Sequence, residues 1–232
     1  MSQEDFDLAS LAIYLHITPQ QVEKLATRGK VPGRKVHGQW RFSAAEIHHW
    51  MEDRMGLLED DELQRVESTL NPAAAIELPL SKILATESIA VPLRAKTKRR
   101  VIEEMVGLAA ATGMLWDEDR MREAIYAREQ LQSTAMTNGI ALMHPRRPLS
   151  NILGEAILSL GVSSQGVPFG GGRGLTHVFF LICSTDDRGH LHCLARLTRM
   201  FQSETFVPDL RAAEHPIAAK EIFDAAEAAL DE

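Results

Sequence analysis

Asn138-Gly139-Ile140-Ala141-Leu142-Met143-His144-Pro145-Arg146-Arg147-Pro148 is the stretch on which the reading of the larger part of this chain turns. Gly139 to Met143 is a short apolar run, read as a buried strand, and His144 follows it directly. The histidine is therefore expected to emerge at a strand end beside cationic groups, in the kind of loop where sites concentrate. Outward from this strand the pattern alternates. Val101-Ile102, Met105-Val106 and Leu108-Ala109 recur with helical period, and Asp117 to Gln132 predicts a second helix carrying Met121, Ile125 and Leu131 inward. Ala156 to Val162 and Val178 to Cys183 read as further strands, and Leu191, Leu194, Ala195, Leu197 and Met200 return to helical spacing. The fold class expected is α/β, a mixed sheet flanked by helices.

The first 55 residues read differently. Leu8, Leu11, Ala12 and Leu15 fall at helical spacing, and Thr18-Pro19 offers an N-cap followed by proline at the first helical position. The helix from Pro19 to Arg28 keeps Val22, Leu25 and Ala26 on one face and ends at Gly29. Val31 to Phe42, punctuated by Gly33 and Gly38, alternates as a small hairpin, and Ser43 with Glu46 gives a capping-box pattern ahead of Ile47, Trp50 and Met51. The order is helix, turn, helix, wing, helix. Trp40, Phe42 and Trp50 are read as core, because so small a unit needs its large apolar side chains inside.

The 232 residues carry a formal net charge of −7 and are 45% hydrophobic, which excludes disorder, a collagen repeat and a disulfide scaffold. That average hides two opposite segments. Lys24, Arg28, Lys30, Arg34, Lys35 and Arg41 give six positive charges with no Asp or Glu between Lys24 and Arg41. From Gly56 to Leu80 the sign inverts, with Glu59, Asp60, Asp61, Glu62, Glu67 and Glu77 against Arg65 alone, interrupted by Asn71-Pro72 and Leu78-Pro79. The organisation expected is a first domain over 1–55, an acidic linker over 56–79 and a second domain over 80–232. The longest apolar run, Val178 to Cys183, falls far short of the roughly 20 residues a spanning helix needs, so no membrane partner is expected. The acidic start leads us to expect no export signal, and two cysteines without a framework fit a reducing cytoplasm.

Four features of the second domain could carry chemistry. His144 is the first. Gly189-His190-Leu191-His192-Cys193 opens a helix, whose positive end favours neutral imidazole and offers backbone N–H donors to a phosphoryl group. Phe169-Gly170-Gly171-Gly172-Arg173-Gly174 lacks the Lys-Ser/Thr of a P-loop and precedes a strand where a dinucleotide fingerprint must follow one, so it reads as a hairpin turn. Cys183 and Cys193 lack the spacing of a zinc site, and no metal is expected.

Two resemblances gather these residues. Leu8-Ala9-Ser10-Leu11-Ala12-Ile13-Tyr14-Leu15, Val22-Glu23-Lys24-Leu25, Gly29-Lys30-Val31-Pro32 and Gly38-Gln39-Trp40-Arg41-Phe42 resemble the MerR and excisionase type of winged helix-turn-helix. The resemblance implies double-stranded DNA as partner, with Gln20, Gln21 and Lys24 at base edges and Arg28, Lys30, Arg34, Lys35 and Arg41 on phosphates. From about Leu80 onward the chain resembles the fructose, mannitol and nitrogen-regulatory class of phosphotransferase-system enzyme IIA domains. Arg128-Glu129-Gln130-Leu131-Gln132-Ser133-Thr134 is similar to that family's Arg-Glu-x-x-x-Ser-Thr. Asn138 to His144 is similar to its Asn-Gly-Ile-Ala-Ile-Pro-His, and His190-Leu191 to its second active-site histidine.

What this implies is a phosphocarrier without a cofactor. His144 would take a phosphoryl group from an HPr-like protein, His190 would donate a hydrogen bond to it, and Arg128 would supply charge, with Arg146 as an addition the motif does not demand. The chain departs from the family in two places. The family's Thr-Gly-Ile-Gly-Asn-Gly is Thr134-Ala135-Met136-Thr137-Asn138-Gly139, and the proline before the active histidine is Met143. Together the two resemblances imply a cytoplasmic regulator that couples phosphotransferase status to DNA, with a homodimer expected because paired half-sites multiply affinity. Two alternatives stay open here: a binding-only protein that no longer carries phosphate, and a phosphocarrier whose N-terminal domain binds protein instead of DNA.

Overall fold

Asp7 and Thr18 start the first two helices by the same device. In the computed structural model, which describes residues 5–15, 17–43, 46–47, 50–51, 79–136, 138–170 and 174–231, helix α1 is Leu8–Tyr14 and α2 is Pro19–Thr27. Asp7 Oδ1 accepts the Ser10 N–H at 2.7 Å while Ser10 Oγ accepts the Asp7 N–H at 2.9 Å. Thr18 Oγ1 accepts the Gln21 N–H at 3.3 Å and Gln21 Oε1 accepts the Thr18 N–H at 2.8 Å. The first of these bonds, to the Ser10 backbone, also holds the Asp7 carboxyl below its ordinary range. Past α2 the chain turns at Gly29, whose φ of +66° is the left-handed geometry expected there.

The wing is β1 (Arg34–Val36) paired antiparallel to β2 (Gln39–Arg41), with Lys35 opposite Trp40. Its turn places His37 at φ 49° and Gly38 at φ 81°; two successive positive φ values give the turn whose twist suits a tight hairpin. Phe42 then exchanges both backbone hydrogen bonds with Phe6, at 2.8 and 2.9 Å. Phe42 is fully buried, but Trp40 and Trp50 are only half-buried. Trp40 stacks on Phe42 and carries Lys35 on its ring, and Trp50 Nε1 donates to the Lys30 carbonyl at 2.7 Å. Glu46, Ile47, Trp50 and Met51 are helical, with Ile47 and Met51 buried; Ala44, Ala45, His48 and His49 lie outside the described residues.

The chain divides into two units, Met1–Ala75 and Ile76–Glu232. The acidic linker expected over 56–79 lies outside the described residues except for Pro79. The second unit runs α3 (Leu80–Ile83), a 3-10 turn, β3 (Ile89–Ala90), α4 (Lys98–Ala111), α5 (Glu118–Leu131) and β4 (Ile140–Met143). It continues through a second 3-10 turn, β5 (Ile157–Val167), β6 (Thr176–Cys183), α6 (Asp187–Met200), α7 (Phe206–Ala212) and α8 (Pro216–Ala228). The strand order is β3-β5-β6-β4, with β5 and β6 antiparallel and the outer pairs parallel, so the sheet is mixed as expected.

Period two along β6 explains its continuous apolar run. Phe179, Leu181 and Cys183 join the core with Val101, Met105, Met121 and Ile125 of α4 and α5, while Phe180 meets Phe201 and Phe223 with tilted rings in a second aromatic cluster with Phe206. The glycine-rich segment joins β5 to β6 as the hairpin connection, with 171–173 outside the described residues.

Two expectations fail in this unit. Leu131 is not carried inward: it is 65% exposed, because the inward positions after Met121 and Ile125 are taken by Arg128 and Glu129. Strand β5 runs five residues past Val162, since pairing with β6 resumes at Val167 opposite Thr176 after an irregularity that carries polar residues. At the far side, buried Glu227 of α8 accepts the Leu80 and Ser81 N–H groups at 2.6 and 2.7 Å and Arg196 Nε of α6 at 2.9 Å. Arg196 continues to Asp231 at 2.6 Å, so one ion network fastens the start of this unit to its last helices.

Candidate active site

Because β4 and β6 are parallel and in register, Met143 opposite Leu181, their carboxyl ends deliver two segments to one edge of the sheet. His144 leaves β4 there, and Ser184 leaves β6 ahead of α6 and its His190. The two imidazole rings lie 4.9 Å apart, tilted by 58°, and both residues are buried. Arg128, on the last turn of α5 and also buried, completes the group: its Nε is 3.3 Å from His144 Nε2. The three residues picked out as catalytic from sequence are thus brought together.

Hydrogen bonding fixes the tautomer of His144. Nδ1 lies 2.9 Å from the Leu142 carbonyl oxygen, which can only accept, so Nδ1 carries the proton. The guanidinium can only donate, so Nε2 carries the lone pair. Arg128 is itself held by its Nη1, which donates to the Gln132 carbonyl at 2.9 Å, one of the acceptors a helix end leaves unmatched. His190 Nδ1 lies 3.5 Å from Ser184 Oγ.

One expectation about His190 needs correcting. Helix α6 starts at Asp187, with Asp186 as cap accepting the Gly189 N–H at 2.8 Å, and the His190 N–H goes to the Asp186 carbonyl at 3.1 Å. The backbone donors at Gly189 and His190 are therefore committed, and it is the His190 side chain that faces His144. Arg146 and Arg147 are exposed beyond Pro145.

The segment that departs from the family pattern folds back along β4. Leu142 N–H donates to the Thr134 carbonyl at 3.3 Å, Met136 N–H to Ile140 at 2.7 Å, and the turn closes at Gly139 with φ +80°. Ala135 sits where its methyl comes against Gly170: a Cβ there would lie 3.0 Å from the Ala135 Cβ. Thr137 lies outside the described residues.

Sequence reading missed the supports of this site. Glu129 accepts the Thr134 N–H at 3.0 Å and the Thr134 hydroxyl, and pairs with Lys98 Nζ at 2.7 Å. Glu129 carried a signal, since it stands in the quoted Arg-Glu segment. Lys98 carried none, lying 31 residues away at the start of α4 among cations that resemble a solvated helix start. Burial pushes the Cys183 and Cys193 thiols up to about 12, so neither supplies a thiolate at neutral pH. Among the described residues no group of three or more His, Cys, Asp or Glu is placed to hold a metal ion.

In the first unit, Gln20, Gln21 and Lys24 lie on α2 and Arg28 caps its C-terminus, all exposed; Lys30, Arg34 and Lys35 are exposed beyond it, and Arg41 is half-buried. Gln21 Oε1 is committed to the Thr18 cap, which leaves the Gln21 amide only its NH2 for another partner. Arg34 pairs with Asp5 at 3.2 Å.

The comparisons with known proteins follow these two units. A Helix-turn-helix domain model matches residues 7–55. A fructose-specific EIIABC component of the phosphotransferase system from Bacillus subtilis is 30% identical over 150 residues; the match covers 63% of this chain, which spans only 23% of that protein. A nitrogen regulatory protein from Bradyrhizobium diazoefficiens is 29% identical over 143 residues, 58% of this chain and 88% of that one. The crystal structure of nitrogen regulatory protein IIA-Ntr from Neisseria meningitidis shares the fold, with a TM-score of 0.55 at 22% identity over 62% of this chain and 97% of its own. The model of the phosphoenolpyruvate-dependent sugar phosphotransferase system EIIA 2 family matches residues 82–226, and to that family the chain belongs.

Proposed function

We propose that this protein is a DNA-binding regulator whose IIA domain accepts a phosphoryl group on His144 Nε2. The observation that carries the reading is the fixed tautomer: Nδ1–H is held by the Leu142 carbonyl, and the Nε2 lone pair faces Arg128, with the His190 ring centre 4.9 Å from that of His144. In the transfer, the bond from Nε2 to phosphorus forms as the phosphorus–nitrogen bond to a donor phosphohistidine breaks, and the electron pair returns to the donor imidazole. Arg128 then turns from Nε2 to the phosphoryl oxygens, where most of the charge lies, and His190 donates to another. The donor is an HPr-like phosphocarrier.

The DNA-binding half of the proposal rests on the cations from α2 to the wing, exposed except for half-buried Arg41, with Gln20, Gln21 and Lys24 as base-reading candidates and Arg28, Lys30, Arg34, Lys35 and Arg41 as phosphate contacts. Of these, Gln21 serves the cap first, so only its NH2 reaches outward. A phosphoryl group adds roughly −1.5 to −2 charges, enough to alter contact with an acidic or basic partner surface. The expected site of action is the cytoplasm, and the binding form on paired half-sites is a homodimer.

A second reading has one observation in its favour. His144 is only 4% exposed, and Ala135 fills space beside Gly170, an arrangement that suits a binding-only domain closed to phosphate. Intact-mass analysis after incubation with phosphoenolpyruvate, enzyme I and HPr separates the two. An acid-labile adduct that is lost in His144→Ala supports the carrier; no adduct with a competent donor set supports binding alone.

A further inference from the structure

The carboxylate next to Arg128 takes no part in the reacting group, yet its side chain is 1% exposed, a costly place for a charge unless a counter-charge lies beside it. Lys98 Nζ lies 2.7 Å from Glu129 Oε2, and Glu129 Oε1 receives both the N–H and the hydroxyl of Thr134. The Thr134 carbonyl in turn accepts the Leu142 N–H at 3.3 Å. The Leu142 carbonyl is the atom that holds His144 Nδ1–H at 2.9 Å. The peptides flanking Leu142 are thereby fixed from one side by Thr134, and they present to His144 the acceptor that keeps its proton off Nε2. Lys98 also lies over the Phe169 ring, 4.8 Å from its centre, so the same cation ties in the connection between β5 and β6.

We propose that Glu129, with Lys98 as its counter-charge, is a positioning residue for His144, acting through Thr134 and Leu142 to hold the Nδ1–H tautomer and aim Nε2. This rests on the reading of His144 as phosphoacceptor. A buried ion pair contributes little net stability against an apolar replacement, but it can select one arrangement of the chain around it. Here the arrangement matters because a reacting atom displaced by about 1 Å loses roughly 10²-fold in rate. Without Glu129, the Thr134 N–H and hydroxyl lose their acceptor, the returning segment is no longer held at that point, and the Leu142 carbonyl is freed to move off Nδ1. The Nε2–H tautomer then competes, and it places the proton on the nitrogen that must attack.

The test uses the full chain. Nitrogen-15 spectra of histidine-labelled protein read the His144 tautomer directly, and the initial rate of adduct formation with phosphorylated HPr is measured beside them. In Glu129→Ala the expected result is an Nε2–H population at His144 and a fall in maximal rate of about 10-fold or more, with the donor concentration for half-maximal rate unchanged. Glu129→Gln, which keeps an oxygen for Thr134, restores the Nδ1–H form. A folded Glu129→Ala with the wild-type tautomer and rate overturns the proposal. If that variant does not fold, Lys98→Met and Thr134→Val are read by the same spectra, and an unchanged Nδ1–H tautomer in both overturns it equally. Should the wild type accept no phosphate, the carrier reading falls while the spectra still decide the positioning role.

Discussion

With its Nδ1 proton on the Leu142 carbonyl, His144 turns Nε2 toward Arg128, and in the proposed transfer Nε2 is the acceptor and Arg128 the residue that meets the charge arriving there. Arg128→Met is expected to lower the rate of adduct formation by about 10²-fold, in line with the loss of one preorganised donor, as measured by single-turnover mass analysis. The Arg128 position was readable from sequence through the Arg-Glu segment and its spacing to His144. Its orientation was not, because that depends on the Gln132 carbonyl at the end of α5. Leu131 shows the converse. A helical count places it inward on apolarity alone, and only the demand of the site for Arg128 and Glu129 on the buried face turns it out to 65% exposure. The cysteines give a separate check. With both thiols buried and pushed up to about 12, alkylation of the folded protein at pH 8 is expected to label neither Cys183 nor Cys193, and unfolding to expose both.

At the scale of elements, the first unit follows its local signals closely, since caps and turns act over three or four residues. Thr18→Ala removes the hydroxyl that accepts the Gln21 N–H and is expected to destabilise this unit by about 1 kcal/mol in denaturant unfolding. Gly33 has a different constraint. A Cβ built there comes 2.6 Å from two carbons of the fully buried Phe42 ring, so Gly33→Ala is expected to cost about 1–3 kcal/mol through displaced packing. In the second unit the apolar strands β4 and β6 were readable because both their faces are covered. The extension of β5 to Val167 was not, because Ser163 to Gln165 are polar and the pairing that resumes at Val167 opposite Thr176 lies across the hairpin, beyond the reach of any local window.

Across the whole chain, the features hardest to read are those that join distant positions. Glu227 meets Leu80 147 residues away, and nothing in either neighbourhood announces the pairing. Glu227→Ala takes one carboxylate from the buried Arg196 guanidinium, which keeps Asp231, and strips the Leu80 and Ser81 N–H groups of their acceptor, and is expected to cost about 3 kcal/mol, seen as a lower denaturant midpoint for the second unit. The Arg196 hydrogen bonds also hold the Asp231 carboxyl below its ordinary range, so its contribution is present above the unfolded carboxyl range and is lost as pH falls through the lowered value.

Domain order, by contrast, was readable, because a basic helix-turn-helix and wing precede the IIA motifs with an acidic stretch between them in sequence. On the proposed function, the helix-turn-helix unit responds to the phosphorylation state of His144. This coupling is tested most directly by salt-dependent DNA-binding curves of the unmodified and His144-phosphorylated chain, with His144→Ala as control. Phosphorylation is expected to shift the affinity while His144→Ala treated with the same donors does not respond; superimposable curves for the two forms of the wild type would overturn the coupling.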